Sequence, residues 1–175
     1  MLTRLHAMLL LLVMSVVLVT VLAVSAFAAT PEITTVSTWN ELLNAVNSDK
    51  TYIKLSKHIV DDVPDDELPT KHRLVFDGGE DYVLDLGGFS LEVNNSVNEF
   101  YTDKFSMIGV SNGSDLEIIN GSIEFRNYYA SNRVNNGVVS VADTSTLVAK
   151  NVSMKNYQTG TVIYASNDAE VTLAG

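Results

Sequence analysis

Cysteine is absent from all 175 residues. Its absence excludes a disulfide framework, thiolate metal sites and thiol nucleophiles together, and leaves stability to packing alone. Positive charge is scarce. Eleven Lys and Arg stand against 21 Asp and Glu, a formal charge of −10, which argues against nucleic acid or an anionic membrane surface as a partner. Long apolar runs are confined to one place, Met8 to Val24. Arg4 and His6 precede that run and the small-x-small triplet Ala26-Phe27-Ala28 follows it, so residues 1–28 read as a cleaved export signal with Ala29 as the first mature residue. A retained membrane anchor is the alternative, since the run approaches spanning length. Removal of the signal takes Arg4 and no acid, leaving a formal charge of −11. Membrane contact is expected only through the signal peptide, and the mature chain is expected to be secreted or at the cell surface.

What is present is one apolar pattern that returns five times. Ile53-x-Leu55, Leu84-x-Leu86, Leu116-x-Ile118, Leu147-x-Ala149 and Val171-x-Leu173 lead successive copies at spacings of 31, 32, 31 and 24 residues. A small or amide residue follows four positions on in all but the first: Gly88, Asn120, Asn151, Gly175. Val60, Leu91, Ile123 and Met154 stand seven positions after the leads, and Phe76, Ile108, Val139 and Ile163 eight before. A fixed period of this length is the signature of a solenoid, and period-2 alternation inside each copy makes its elements strands. The fold class is therefore an all-β solenoid, with Leu84, Leu86, Leu116, Ile118, Leu147, Val171 and Leu173 predicted to form one interior stack.

Ahead of the repeats, residues 29–37 read as a Thr/Ser-rich spacer and 38–47 as a capping helix. Thr38-Trp39-Asn40-Glu41 has the form of a capping box, and Trp39, Leu42, Leu43 and Val46 fall at i, i+3, i+4, i+7 on one apolar face. Residues 48–175 are then the repeats, with strands predicted at 74–76, 83–86, 89–93, 106–110, 116–119 and 122–125. The excess length of the longer copies falls at one corner, placing the insertions Asp61 to Arg73, Asn94 to Lys104 and Arg126 to Asn136 on one face. The last residues carry no polar capping element, so the chain is expected to be the N-terminal part of a longer protein whose further coils continue the stack. Asn-x-Ser sequons at Asn94, Asn112, Asn120 and Asn151 are read as chance products of an Asn- and Ser-rich chain.

Together, the Ser37 to Val46 cap, the Ile53-Lys54-Leu55 strand with His58-Ile59, and the Val83-Leu84-Asp85-Leu86-Gly87-Gly88-Phe89-Ser90-Leu91 segment resemble the pectate-lyase-like adhesive domains of secreted and wall-attached Gram-positive surface proteins. The resemblance covers the whole mature chain. It implies a right-handed single-stranded parallel β-helix and a non-catalytic role in adhesion or carbohydrate contact, with glycans or a host or neighbouring cell surface as partner. The alternative is the N-terminal part of a polysaccharide lyase or glycoside hydrolase whose catalytic coils lie beyond residue 175.

Two constellations bear on a ligand. Asp61, Asp62, Asp65, Asp66 and Glu67 supply hard oxygen donors at a density that could hold Ca²⁺, the ion that pectate lyases use to bridge an acidic sugar; an acidic run is also, more simply, a solvated face. No other cofactor is expected. Arg126, Tyr128, Tyr129 and Arg133, with Tyr101 and Lys104, offer flat apolar rings rimmed by donors, which suits a sugar ring. No catalytic residue is assigned. Asp85, Glu117 and Glu124 alternate with apolar neighbours and are expected to point outward, and His58 and His72 stand alone.

Overall fold

Period-2 alternation of β-branched and aromatic residues with polar ones folds as expected into short strands, all of them parallel to their neighbours. The computed structural model describes residues 31–48, 50–63, 72–95, 106–127, 137–157 and 161–175. In chain order the strands are β1 (Ile33–Val36), β2 (Tyr52–Leu55), β3 (Ile59–Val63), β4 (Leu74–Phe76), β5 (Asp81–Asp85), β6 (Ser90–Asn95), β7 (Ser106–Val110), β8 (Asp115–Asn127), β9 (Gly137–Val141), β10 (Thr146–Asn156), β11 (Thr161–Ala165) and β12 (Glu170–Ala174). One helix, α1 (Trp39–Asn47), is found among the described residues. Sheet A runs β1-β2-β5-β8-β10-β12, with β3 and β6 completing a second rank beside β8, and sheet B runs β4-β7-β9-β11. Residues Glu32–Gly175 form one unit. This all-parallel pattern is compatible with a solenoid.

The strands share their interior in rows. Ile53, Leu84, Ile118 and Ala149 are register partners in sheet A, Leu91, Ile123 and Met154 in its second rank, and Leu74, Ile108, Val139 and Ile163 in sheet B. Leu84, Leu86, Leu116, Ile118 and Leu147 are fully buried, while Glu117 points outward to Lys150, so the predicted in-out phase holds there. Val171 and Leu173 keep the row but are 36% and 66% exposed. Their strand, β12, has a neighbour on one side only among the described strands.

Two details of register correct the repeat as read from sequence. Leu84 pairs with Ile118, not Leu116, and Leu116 pairs with Tyr82. The corner from Leu84 to Leu91 is two residues longer than that from Ile118 to Ile123, and the excess is taken up by Leu86-Gly87-Gly88-Phe89. Gly87 and Gly88 sit at φ 61° and 84°, and a Cβ on Gly87 would lie 2.9 Å from the Leu55 carbonyl oxygen. The corners at Asn120 and Asn151 are single residues at φ 59° and 55°, so β8 and β10 continue through them as long bent strands. The first corner, from Ile53 to Ile59, is one residue shorter than that from Leu84 to Leu91. Ile59, not Val60, pairs with Leu91 and is buried, leaving Val60 51% exposed.

The N-terminal end also differs from its reading. Residues 33–36 of the supposed spacer form β1, which pairs with β2 and covers its edge. Helix α1 covers the core, burying Trp39, Leu42, Ala45 and Val46 against the first strands. Thr38 caps it as predicted, its hydroxyl accepting from the Glu41 amide at 3.2 Å. The Glu41 carboxylate reaches one residue further back than a simple capping box, to the Ser37 amide and hydroxyl at 2.7 and 2.9 Å. Those bonds, the Ser37 amide foremost, hold its pKa below the usual carboxylate range.

Candidate functional site

The longest connections, 64–71, 96–105 and 128–136, each follow β3, β6 or β8 and precede β4, β7 or β9. Their roots are register partners on both sides. Asp62, Asn94 and Arg126 lie side by side where the chain leaves sheet A, and Leu74, Ile108 and Val139 where it enters sheet B. The exit row is built from polar side chains that bind one another. Asn94 Nδ2 donates to Asp62 Oδ1 at 2.7 Å. Arg126 Nη2 donates to Glu124 Oε2 at 2.9 Å, and its Nε lies 3.0 Å from Glu92 Oε1 with the N–H not aimed at the oxygen. The guanidinium stacks 4.1 Å above the Tyr157 ring, and the Tyr157 hydroxyl donates to Glu124 at 3.0 Å. Lys155 approaches the other Glu124 oxygen at 3.8 Å.

This cluster is an electrostatic clamp across three strands. Burial alone would lower the Arg126 pKa, but Glu92 and Glu124 outweigh it and raise the guanidinium above its ordinary value. Burial would likewise raise that of Glu124, but Tyr157, Arg126 and Lys155 leave it lowered. Arg126 is thus occupied on its fork and its face, and it anchors the root of the third insertion.

The acidic candidates divide in the same way. Asp61 is not in a loop. It lies on β3 in the row of buried Val93 and Phe125, is 8% exposed, and its Oδ2 is 2.7 Å from His72 Nδ1. His72, expected to stand alone, therefore tethers the far end of the first insertion to β3. Asp62 is exposed and engaged by Asn94. Among the described residues no three His, Asp or Glu side chains gather closely enough to hold a metal ion. Asp65, Asp66, Glu67, Tyr101, Lys104, Tyr128, Tyr129 and Arg133 lie outside the described residues.

Asp85 keeps the outward phase it shares with Lys54 and Ile119, yet it is not solvated. It is 4% exposed and accepts from the Gly87 amide at 2.9 Å and Asn120 Nδ2 at 3.3 Å, with Lys54 Nζ at 3.1 Å. Burial pushes its pKa up, but the Gly87, Lys54 and Asn120 contacts together bring it below the usual range. It locks the long Gly87-Gly88 corner. His58 binds the neighbouring corner, its Nδ1 accepting from the Ser90 amide at 3.0 Å while its ring meets Phe89 edge-on.

The clamp was present in the repeat alignment: Glu92, Glu124 and Lys155 share one phase, and Asn94, Arg126 and Tyr157 the phase two residues on. Reading the columns for charge as well as for apolar character would have found it. No described helix is long and apolar enough to cross a membrane. The chain matches no family model, no curated protein and no solved structure.

Proposed function

We propose that the chain is a secreted, non-catalytic module of the pectate-lyase-like adhesive kind. In this proposal it is a right-handed single-stranded parallel β-helix that holds its insertions on one face for contact with carbohydrate on a host or neighbouring cell. The helical reading is supported by strands that visit the two ranks of sheet A and then sheet B in the same order in successive repeats, all parallel, a connection pattern that is right-handed in nearly every known case. The functional reading is carried by one observation, the stacking of the roots of all three insertions in adjacent register positions. Loops rooted in one row on a rigid scaffold make a continuous surface, and such surfaces are where non-catalytic solenoids bind.

Within that surface Tyr128 and Tyr129 are the stacking groups, Tyr101, Lys104 and Arg133 the rim, and Arg126 the anchor beneath. An exported, cysteine-free chain of strong negative charge suits neutral or basic glycans better than acidic ones. A glycan array comparing the parent with the Tyr128→Ala/Tyr129→Ala double variant tests the proposal. Loss of the parent's signals is expected in the variant, and equal signals from both would sink it.

A further inference from the structure

Sheet B is buried on one face and, in part, on the other. Leu74, Phe76, Ile108, Val110, Val139 and Val141 face the interior, yet Met107 and Val138, which alternate with them, are also fully buried. Arg73 stands one residue ahead of β4 on that second face, and its guanidinium lies over Gly109 of the neighbouring strand. A Cβ at Gly109 would come within 2.2 Å of Nη2 and 2.8 Å of Cζ, so only glycine leaves this slot open. Nη2 donates to Ser140 Oγ at 3.1 Å, two strands from β4. Nε is buried without a hydrogen-bond partner.

Arg73 is half-buried, and a guanidinium nitrogen taken out of water, as its Nε is, is costly unless a partner accompanies it. Every other arginine or lysine with an ion pair among the described residues finds a carboxylate: Lys50, Lys54, Arg126, Lys150 and Lys155. Arg73 has none there, and the burial that depresses its pKa is not offset by any acid. Of the two acids on β3, Asp61 is given to His72 and Asp62 to Asn94.

We propose that Arg73, Ser140 and the slot over Gly109 form a binding site for a carboxylate. The fork keeps N–H donors beyond the one given to Ser140, and the Ser140 hydroxyl, accepting from Arg73, has its own proton left to donate. One cation and one hydroxyl match a monoanion. A dianion such as phosphate would meet a protein of formal charge −10, and among the described residues Lys54, Arg126, Lys150 and Lys155 lie on sheet A rather than sheet B. The site is on sheet B and does not rest on the glycan-contact proposal, so either can fail without the other.

The test is an NMR titration of the Arg73 Nε–H resonance in the whole protein with sodium acetate, at constant ionic strength set by chloride, and in parallel with inorganic phosphate. Acetate is expected to move the resonance saturably by about 50 mM, as a site of millimolar affinity requires, with phosphate and chloride moving it far less. Gly109→Ala, which displaces the guanidinium, should weaken acetate binding about tenfold or more, as the loss of charge-assisted hydrogen bonds implies. Ser140→Ala should weaken it to a lesser degree. A resonance that acetate does not move overturns the proposal, and this holds even if Gly109→Ala fails to fold. Tighter binding of phosphate than of acetate, or unchanged acetate binding in a folded Gly109→Ala protein, overturns it equally.

Discussion

Asp85 and Thr144 show opposite ways in which single residues set the corners. The Asp85 carboxylate is ionised in the fold and its pKa lies below the ordinary value near 3.9. Its contribution is therefore present above about pH 4 and is lost as pH falls through the lower folded-state value. Asp85→Asn should cost about 2 kcal/mol at neutral pH, the usual cost of disabling a buried charged acceptor. In urea unfolding the gap between parent and variant should narrow steadily below about pH 4; a gap that widened there would show that the carboxylate is not the stabilising form. Thr144, by contrast, sits at φ 60° beside Asp143 at φ 57°, a left-handed pair in which a β-branched side chain is strained by about 1–2 kcal/mol. Thr144→Gly relieves that strain and keeps the amide bond to the Asn167 carbonyl at 3.1 Å. Stability should rise by about 0.5–1 kcal/mol after the entropic cost of glycine, and calorimetry would register a loss if the strain were absent.

At the scale of elements, the strands were legible because burial of a face imposes parity, and parity survives in sequence. β4 and β7 fall where the apolar alternation puts them, at Leu74–Phe76 and Ser106–Val110. Corner length leaves no such trace. The two-residue excess at Leu86 to Phe89 preserves parity, so every residue stayed on its predicted face while the pairing partner changed from Leu116 to Ile118. The one-residue shortening at Ser56 to His58 reverses parity, which is why Val60 was misplaced. Ion pairs were missed for a different reason: Asp61 with His72, and Arg126 with Glu92, are set by contacts across a repeat that apolar phase does not encode. Leu116→Asp places a charge in a row that is fully buried and should cost about 4 kcal/mol or more, or abolish folding. Gly121 makes the same point at a corner. A Cβ there would fall 2.4 Å from the Phe89 carbonyl oxygen and 2.5 Å from Leu86 Cβ, so Gly121→Ala should lower stability by about 2 kcal/mol. An unchanged thermal midpoint in Gly121→Ala would mean that the long and short corners do not nest as described.

At the scale of the molecule, the proposed contact face depends on whether the three insertions rise from one row. The scaffold makes that row through β3, β6 and β8, whose ends pair as Asp62, Asn94 and Arg126, and the clamp of Glu92, Glu124 and Tyr157 holds its third member in place. The insertions themselves are sorted in charge, acidic in the first and aromatic and basic in the third, which would orient a chain-like ligand along the stack. Because the natural chain has no cysteine, introduced pairs report on this row without competition. Adjacent parallel strands lie about 4.8 Å apart, inside the span a disulfide can bridge, whereas next-nearest strands lie about 10 Å apart and outside it. Under mild oxidation the Asp62→Cys/Asn94→Cys and Asn94→Cys/Arg126→Cys proteins should each form an intramolecular disulfide, and Asp62→Cys/Arg126→Cys should not. Cross-linking of Asp62→Cys with Arg126→Cys, or of neither adjacent pair, would contradict the stacked row on which the contact face is built.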